Sequence, residues 1–231
     1  MPLAKHSYHT GAPIPPHVSP SDILAALHDH NTCLSLQALT SGHELLPSTD
    51  PAILKDTFWY PTDKSPPSTY RVTEIIKYLP WFSWAKYSLV FPSVFQNTPE
   101  GLKTRADTGG VVLRAEFRVL ESSSIEGVIE REGEGLDGAG WVLVEDVEVV
   151  CAWWMMPIVR AKMEEAHRDI CRKVVETVVR EKEGKEREAA NGEAAKGKQR
   201  EEAPLENSYV HVEGGTDPPA QGHEPEKMTY G

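Results

Sequence analysis

The chain has 231 residues, 39% of them hydrophobic and 26% charged, with a formal charge of −11 and a pI near 5.3. Both the first 181 residues (−7) and the remainder (−4) are acidic, which argues against a general nucleic-acid binder or a polybasic membrane-surface protein. Three cysteines, Cys33, Cys151 and Cys171, form no even set and no CxxC pair, which argues against a disulfide framework or a structural zinc site.

The N-terminal stretch MPLAKHSYHTGAPIPPH is polar and broken by prolines, without the apolar core of a secretory signal. Ser19-Pro20-Ser21-Asp22 then reads as a helix start. Ser19 can cap, Pro20 suits the first helical position, and Asp22 stands at capping-box spacing. Ile23, Leu24, Leu27, Asn31 and Leu34 recur at helical spacing, predicting a helix over 20–30 and a short second one to about 37.

From 38 to 150 the pattern changes to strands, with candidates at 39–46, 54–61, 69–79, 84–96, 102–119 and 141–150. Asn97-Thr98-Pro99-Glu100-Gly101 is a turn between two of them. Gly109-Gly110 interrupts the long run and reads as a bulge or bend within one strand. Beyond it, Val111, Leu113, Ala115, Phe117 and Val119 alternate with Val112, Arg114, Glu116 and Arg118, the parity of an antiparallel sheet with one wet face. Residues 121–140, rich in Glu and Gly, read as a long exposed hairpin loop.

The longest apolar run, Val149 to Val159, contains Pro157 and is 11 residues long. A membrane-spanning helix needs about 20. The run is therefore expected to be a buried strand end leading into a buried helix start, and the protein to be soluble and cytoplasmic. A single long helix is expected over roughly 155–182, because Val159, Met163, Ala166, Ile170, Val174 and Val178 form one continuous apolar stripe. That stripe should lie across the apolar face of the sheet. After residue 181 the chain is rich in Glu, Lys, Gly and Ala and poor in large aliphatics, so 182–231 reads as a disordered acidic tail. Leu205 to Val212 is its one apolar patch and the candidate site for a protein partner.

One strand, two short helices, a run of antiparallel strands and a long closing helix make an α+β order that resembles the START-like helix-grip fold. In that fold a curved sheet of about seven strands wraps around the C-terminal helix. More specifically, residues 3–180 are similar to an uncharacterised fungal domain family of that fold. The matching stretches are LHDH at 27–30, FWY at 58–60, YRVTEIIKYLP at 70–80 and PEGLKT at 99–104, followed by WVLVEDVEVVCAWWMMPIV at 141–159 and KMEEAH at 162–167. The resemblance implies a cavity between sheet and last helix that holds an apolar small molecule (a lipid, sterol or polyketide-like compound). It implies as alternatives a cyclase-like or dehydratase-like enzyme, or a scaffold with a filled core. Fold alone does not choose among these.

Glu74 shares strand parity with Tyr70, Val72, Ile76 and Tyr78, and Glu145 shares it with Trp141, Leu143, Val147 and Val149. If those faces look inward, two carboxyls enter the cavity, where burial raises their pKa and suits them to general-acid work. The commoner arrangement for acids is that a bulge turns them to solvent or that they pair with Arg71 or Arg114. The cavity lining is completed by Trp84, Tyr87, Phe91, Phe117, Met163 and His167, the last a helix histidine four residues after Met163. His28 and His30 point about 200° apart on one helix and cannot chelate one ion together, so His28 is expected to have a structural hydrogen bond. The Leu79-Pro80-Trp81-Phe82 turn is a candidate aromatic gate. No GxSxG, HExxH, P-loop or GxGxxG occurs, and neither a cofactor nor a metal is implied.

Overall fold

A computed structural model of the chain describes residues 1–77, 86–124 and 140–201. The chain divides into two compact units, Met1–Arg187 and Glu188–Gly231. The first carries the fold, in the helix-grip order expected from the sequence. It begins with β1 (Leu3–Ile14), α1 (Pro20–His28), α2 (His30–Leu36), β2 (Thr40–Leu45) and α3 (Pro51–Leu54). There follow β3 (Ser68–Lys77), β4 (Lys86–Thr98), β5 (Gly101–Thr108), β6 (Val111–Glu121), β7 (Trp141–Ala152), α4 (Met156–His167) and α5 (Ile170–Glu201). The seven strands form one curved antiparallel sheet in the order β1-β7-β6-β5-β4-β3-β2.

The capping signals act as the residue types require. Ser19 accepts from the Asp22 amide while the Asp22 carboxylate accepts from the Ser19 amide, closing the box at the start of α1. Those bonds, together with Lys182, hold the Asp22 carboxyl at about 2. Asp29 caps α2 through the Asn31 amide, and His28 reaches the carbonyls of Thr98 and Gly101, tying the end of α1 to the β4–β5 turn. That is the structural role expected of His28. The turn itself is Pro99-Glu100, with Thr98 paired to Gly101. Gly101 tolerates no side chain, because a Cβ there would lie 2.0 Å from the Phe117 carbonyl oxygen.

Four expectations are corrected. Gly109-Gly110 is not a bend within one strand but a two-residue hairpin turn separating β5 from β6, with Thr108 opposite Val111. Both glycines have positive φ (55° and 82°), as a type I′ turn demands, so the hairpin needs no polar turn residue. Residues 54–61 are not a strand. Asp50 caps the short α3 with Pro51 at its first position, and the chain then crosses the sheet's outer face as an irregular segment pinned by side chains. Lys103 donates to the Phe58 carbonyl, while Gln96 accepts from the Tyr60 amide and donates to the Tyr60 and Ser65 carbonyls. The apolar run 149–159 is buried only in its strand half. Val149 and Cys151 are inside, whereas Trp153, Trp154 and Ile158 are 57–69% exposed, because the turn after β7 carries the start of α4 beyond the sheet.

The closing helix, finally, is long as expected but interrupted once, between α4 and α5. Its course breaks at Arg168-Asp169, where no proline or glycine stands and where Thr10 of β1 donates to the Arg168 carbonyl from the sheet. α5 then continues to Glu201, well past residue 181, since Glu, Lys, Arg and Ala are strong helix formers and pairs such as Glu183–Arg187 support it. Residues 125–139 of the acidic loop, the turn at 79–82 and the 205–212 patch lie outside the described residues.

The core lies between the concave face and the helices. Val72, Phe91, Phe95, Leu102, Ala115, Phe117, Leu143, Val147 and Val149 come from the sheet. Met163, Ile170, Cys171, Val174, Val175 and Val178 are the apolar stripe of α4 and α5, which meets them as its period requires. The opposite, outer face is ionic. Arg105 and Arg114 stand directly across from each other, an arrangement repulsive by itself, and Asp56 Oδ2 sits between them at 2.5 and 2.7 Å.

Candidate functional site

Strand parity places the two acids as the alternation demands. Glu145 shares its side of β7 with the core residues Leu143, Val147 and Val149, and its side chain is fully buried. Neither alternative partner reaches the acids, for Arg71 pairs with Glu44 and Arg114 with Asp56 and Glu148 on the outer face. Glu74 lies on the Val72 side of β3 and is half-buried.

His167, the last residue of α4, completes the group. Its Nδ1–H donates to Glu145 Oε1 at 2.7 Å, and its side chain is 12% exposed. Thr10, which donates to the Arg168 carbonyl, is also the β1 residue directly opposite Glu145. On the other side Phe117 of β6 stands opposite Glu145. The second carboxyl oxygen, Oε2, is buried and has no hydrogen-bond partner among the described residues.

The electrostatics follow from burial. Desolvation raises the Glu145 carboxyl, and His167 only partly offsets it. Desolvation works against the His167 imidazolium, but the Glu145 carboxylate, its hydrogen bond and the Glu74 charge more than reverse it, so the imidazole keeps its proton above the usual range. Burial also raises Glu74, against the pull of His167. β3 and β7 are four strand steps apart, roughly 19 Å along a flat sheet. The register adds an offset of eight residues along β4 between Asn97, in the row of Glu145, and Leu89, which faces Glu74. Burial pushes the Cys33 thiol up to about 12 and holds Cys171 well above its ordinary value, and the Glu145 charge acts the same way on both, so they are protonated thiols and no nucleophiles.

The other expected lining residues divide into groups. Phe91, Phe117 and Met163 are buried in the core, Phe117 directly opposite Glu145. Tyr70 belongs instead to a second network: His30 Nε2–H donates to Asn97 Oδ1 (2.8 Å), leaving Nδ1 to accept from the Tyr70 hydroxyl (3.1 Å). Burial lowers the His30 pKa, in keeping with a neutral ring. The Tyr70 ring meets Phe95 edge to face at 5.5 Å, so this network braces α2 against β3 and β4. Tyr87 is placed only by its backbone, opposite Ile76, and Trp84 lies outside the described residues.

Sequence reasoning did not pair His167 with Glu145, although parity set one on the apolar side of β7 and the helical stripe put the other on the facing edge. It also missed Thr10, whose only signal was alternation in a strand of few apolar residues. Chemically, the site is a buried carboxyl with one oxygen unpartnered among the described residues, oriented by an imidazolium and faced by Phe117. Among the described residues no group of His, Cys, Asp and Glu has the placement to hold a metal ion, and no helix is long and apolar enough to cross a membrane.

The chain belongs to the family described as a domain of unknown function, DUF7053, whose model matches residues 4–180. No curated protein matches it. Among solved structures it is similar to TTHA0849 from Thermus thermophilus, at 8% identity and a TM-score of 0.45 over 76% of this chain and 97% of that one. It is similar also to a truncated norcoclaurine synthase from Thalictrum flavum (12%, 0.46, 78% and 96%). A third is the di-domain ARO/CYC protein StfQ of the steffimycin biosynthetic pathway (8%, 0.49, 78%), of whose chain the match spans about half, 52%.

Proposed function

We infer that this protein binds an apolar small molecule between the concave face of its sheet and the α4–α5 pair, as a carrier or receptor and not as an enzyme. The observation that carries the reading is the unmet Oε2 of Glu145. A fully buried carboxyl oxygen without a partner is costly, and proteins retain such groups where a ligand or water completes them. Phe117 stands opposite Glu145 on β6, and the buried Met163 precedes His167 by one helical turn, so the site joins polar groups to apolar walls, the composition of a small-molecule site. The test is titration of the full chain with fluorescent fatty-acid, sterol and polyketide-like probes. Saturable binding, displaced by an unlabelled competitor, supports the reading. A folded chain that binds none of a broad apolar set overturns it and leaves a scaffold with a filled core.

A second reading, cyclase-like or dehydratase-like proton transfer, is favoured by one specific feature. His167 spends Nδ1 on Glu145, which orients the ring and leaves Nε2 for acid–base work, the logic by which a carboxylate positions a catalytic imidazole. It requires that Glu145→Gln abolish turnover of a ring-forming or dehydrating substrate while the fold persists. An unchanged rate removes Glu145 from any mechanism.

A further inference from the structure

We propose that the end of the sheet where β7 turns into α4 docks on a lipid bilayer. Leu3, Trp153, Trp154 and Ile158 enter the interfacial layer, and Lys5, Arg160 and Lys162 meet lipid phosphates. This stands independently of any guest in the interior. Leu3 is paired with Ala152, and the Trp153 amide donates to the Pro2 carbonyl, so the start of β1 lies beside the β7–α4 turn. Ile158 follows in the first turn of α4. All four apolar side chains are more than half exposed. One exposed apolar side chain is ordinary on a protein surface, but several large ones gathered at one place mark a contact surface.

Two features select a bilayer over a protein partner. The first is residue type. Adjacent tryptophans join a broad apolar ring to an indole N–H, which suits the boundary between hydrocarbon and headgroup. The second is charge. The chain carries 35 acidic residues against 24 basic ones, yet the stretches that build this end, 1–21 and 149–163, contain no Asp or Glu. An otherwise acidic chain can therefore approach a surface of phosphates here without like-charge repulsion. Lys5, Arg160 and Lys162 have side chains 40–61% exposed and pair with Glu148, Glu164 and Glu165. Exposed pairs of this kind contribute little, so a phosphate can take the place of the acid. Three paired cations are no polybasic patch. Apolar insertion must supply most of the affinity, and added salt should change it little.

The test is co-sedimentation of the full chain with vesicles of phosphatidylcholine containing about one-fifth phosphatidylserine, the acyl chains brominated to quench tryptophan emission. The native chain is expected to bind with its emission quenched. Trp153→Ser combined with Trp154→Ser should weaken partitioning by about tenfold or more, and Ile158→Ser by about threefold. Trp141→Ser, which changes a tryptophan at the opposite end of β7, should alter it by less than about twofold. Unchanged urea midpoints show that the variants fold. A native chain that does not bind vesicles overturns the proposal, and so does a folded double variant that binds as tightly as the native chain. Sedimentation velocity without lipid tests the other occupant. A dimer that the double substitution dissociates, with no vesicle binding, assigns this end to a second copy and overturns the bilayer assignment.

Discussion

Replacing His167 alone by leucine should cost more than replacing His167 and Glu145 together. In the single variant the Glu145 carboxyl remains fully buried, without the imidazolium that holds it. Its escape is to take a proton. Against an unfolded chain in which the same group titrates at 4.5, that costs about 1.4 kcal/mol per pH unit, so about 3.4 kcal/mol at pH 7 and about 1.4 at pH 5.5. The sign follows from linkage. A carboxyl whose folded pKa is raised binds more protons folded than unfolded, so its variant loses stability as pH rises above 4.5. His167→Leu should therefore weaken by about 2 kcal/mol between pH 5.5 and 7.

The wild type should fall less over that window, because its raised His167 keeps its proton, and fall more steeply above it. A raised histidine contributes stability fully below 6.5 and loses it as pH passes its folded value. Glu74 acts with the same sign and is released from the pull of His167 in both variants, so it cancels only between the single and the double variant. The double leucine variant has neither charge to bury and should match or exceed the wild type, as apolar replacements of buried ion pairs often do, by about 1–4 kcal/mol. Urea unfolding at pH 5.5, 7 and 8.5 reads these values, with about 3 kcal/mol moving the midpoint by about 1.5 M at a slope of about 2 kcal/mol/M. A double variant whose loss equals the sum of the two single losses would refute the reasoning, since the two groups would then not be coupled.

On the outer face, Asp56→Ala removes the carboxylate between Arg105 and Arg114, which keep only Asp107 and Glu148 as partners. Losing these charge-assisted bonds should cost about 3 kcal/mol and raise amide exchange across 55–67, measured by hydrogen exchange with mass spectrometry. Burial pushes the Asp56 carboxyl up, but the Phe58 amide and the two guanidiniums hold it below 3.8, so its contribution is present above that value and is lost in acid. Gly101→Ala drives a Cβ to 2.0 Å from the Phe117 carbonyl oxygen and should abolish stable folding or lower the thermal midpoint by more than about 10 °C, about 3 kcal/mol or more. Ser19→Ala removes the cap of α1 and should cost about 1 kcal/mol in chemical denaturation. Trp153→Ser, by contrast, changes a side chain 60% exposed and should shift stability by no more than about 0.5 kcal/mol.

Periodicity made most of the architecture legible. The alternation of 111–119 and of 141–149 located both faces of β6 and β7 and set Glu145 on the side of Leu143, Val147 and Val149, but acids are commonly turned to solvent or paired, so its burial was not legible from parity alone. The capping box at Ser19–Asp22 fixed the start of α1. What remained hidden depends on distant partners. Residues 54–61 carry the aromatic composition of a strand, yet Asp56, Phe58 and Tyr60 are held by Arg114, Lys103 and Gln96 from the sheet they cross. Gly109-Gly110 gives the same local signal for a bulge as for a hairpin, and only the pairing of Thr108 with Val111 decides. The break in the closing helix has no helix-breaking residue; Thr10, which donates to its Arg168 carbonyl, lies 158 positions away. The Glu145–His167 pair is of this kind too. Each residue's facing was readable, but their meeting required the registry of β7 against α4.

The central claim is that a guest enters the interior beside Glu145. Nuclear Overhauser contacts between isotope-labelled full-length protein and added decanol test it most directly. Contacts from the decyl chain to Phe117 and Met163, with the Glu145 and His167 side-chain resonances shifting in step with occupancy, are the predicted result. Contacts confined to the exposed Trp153 and Trp154, with the interior resonances unmoved, would contradict it.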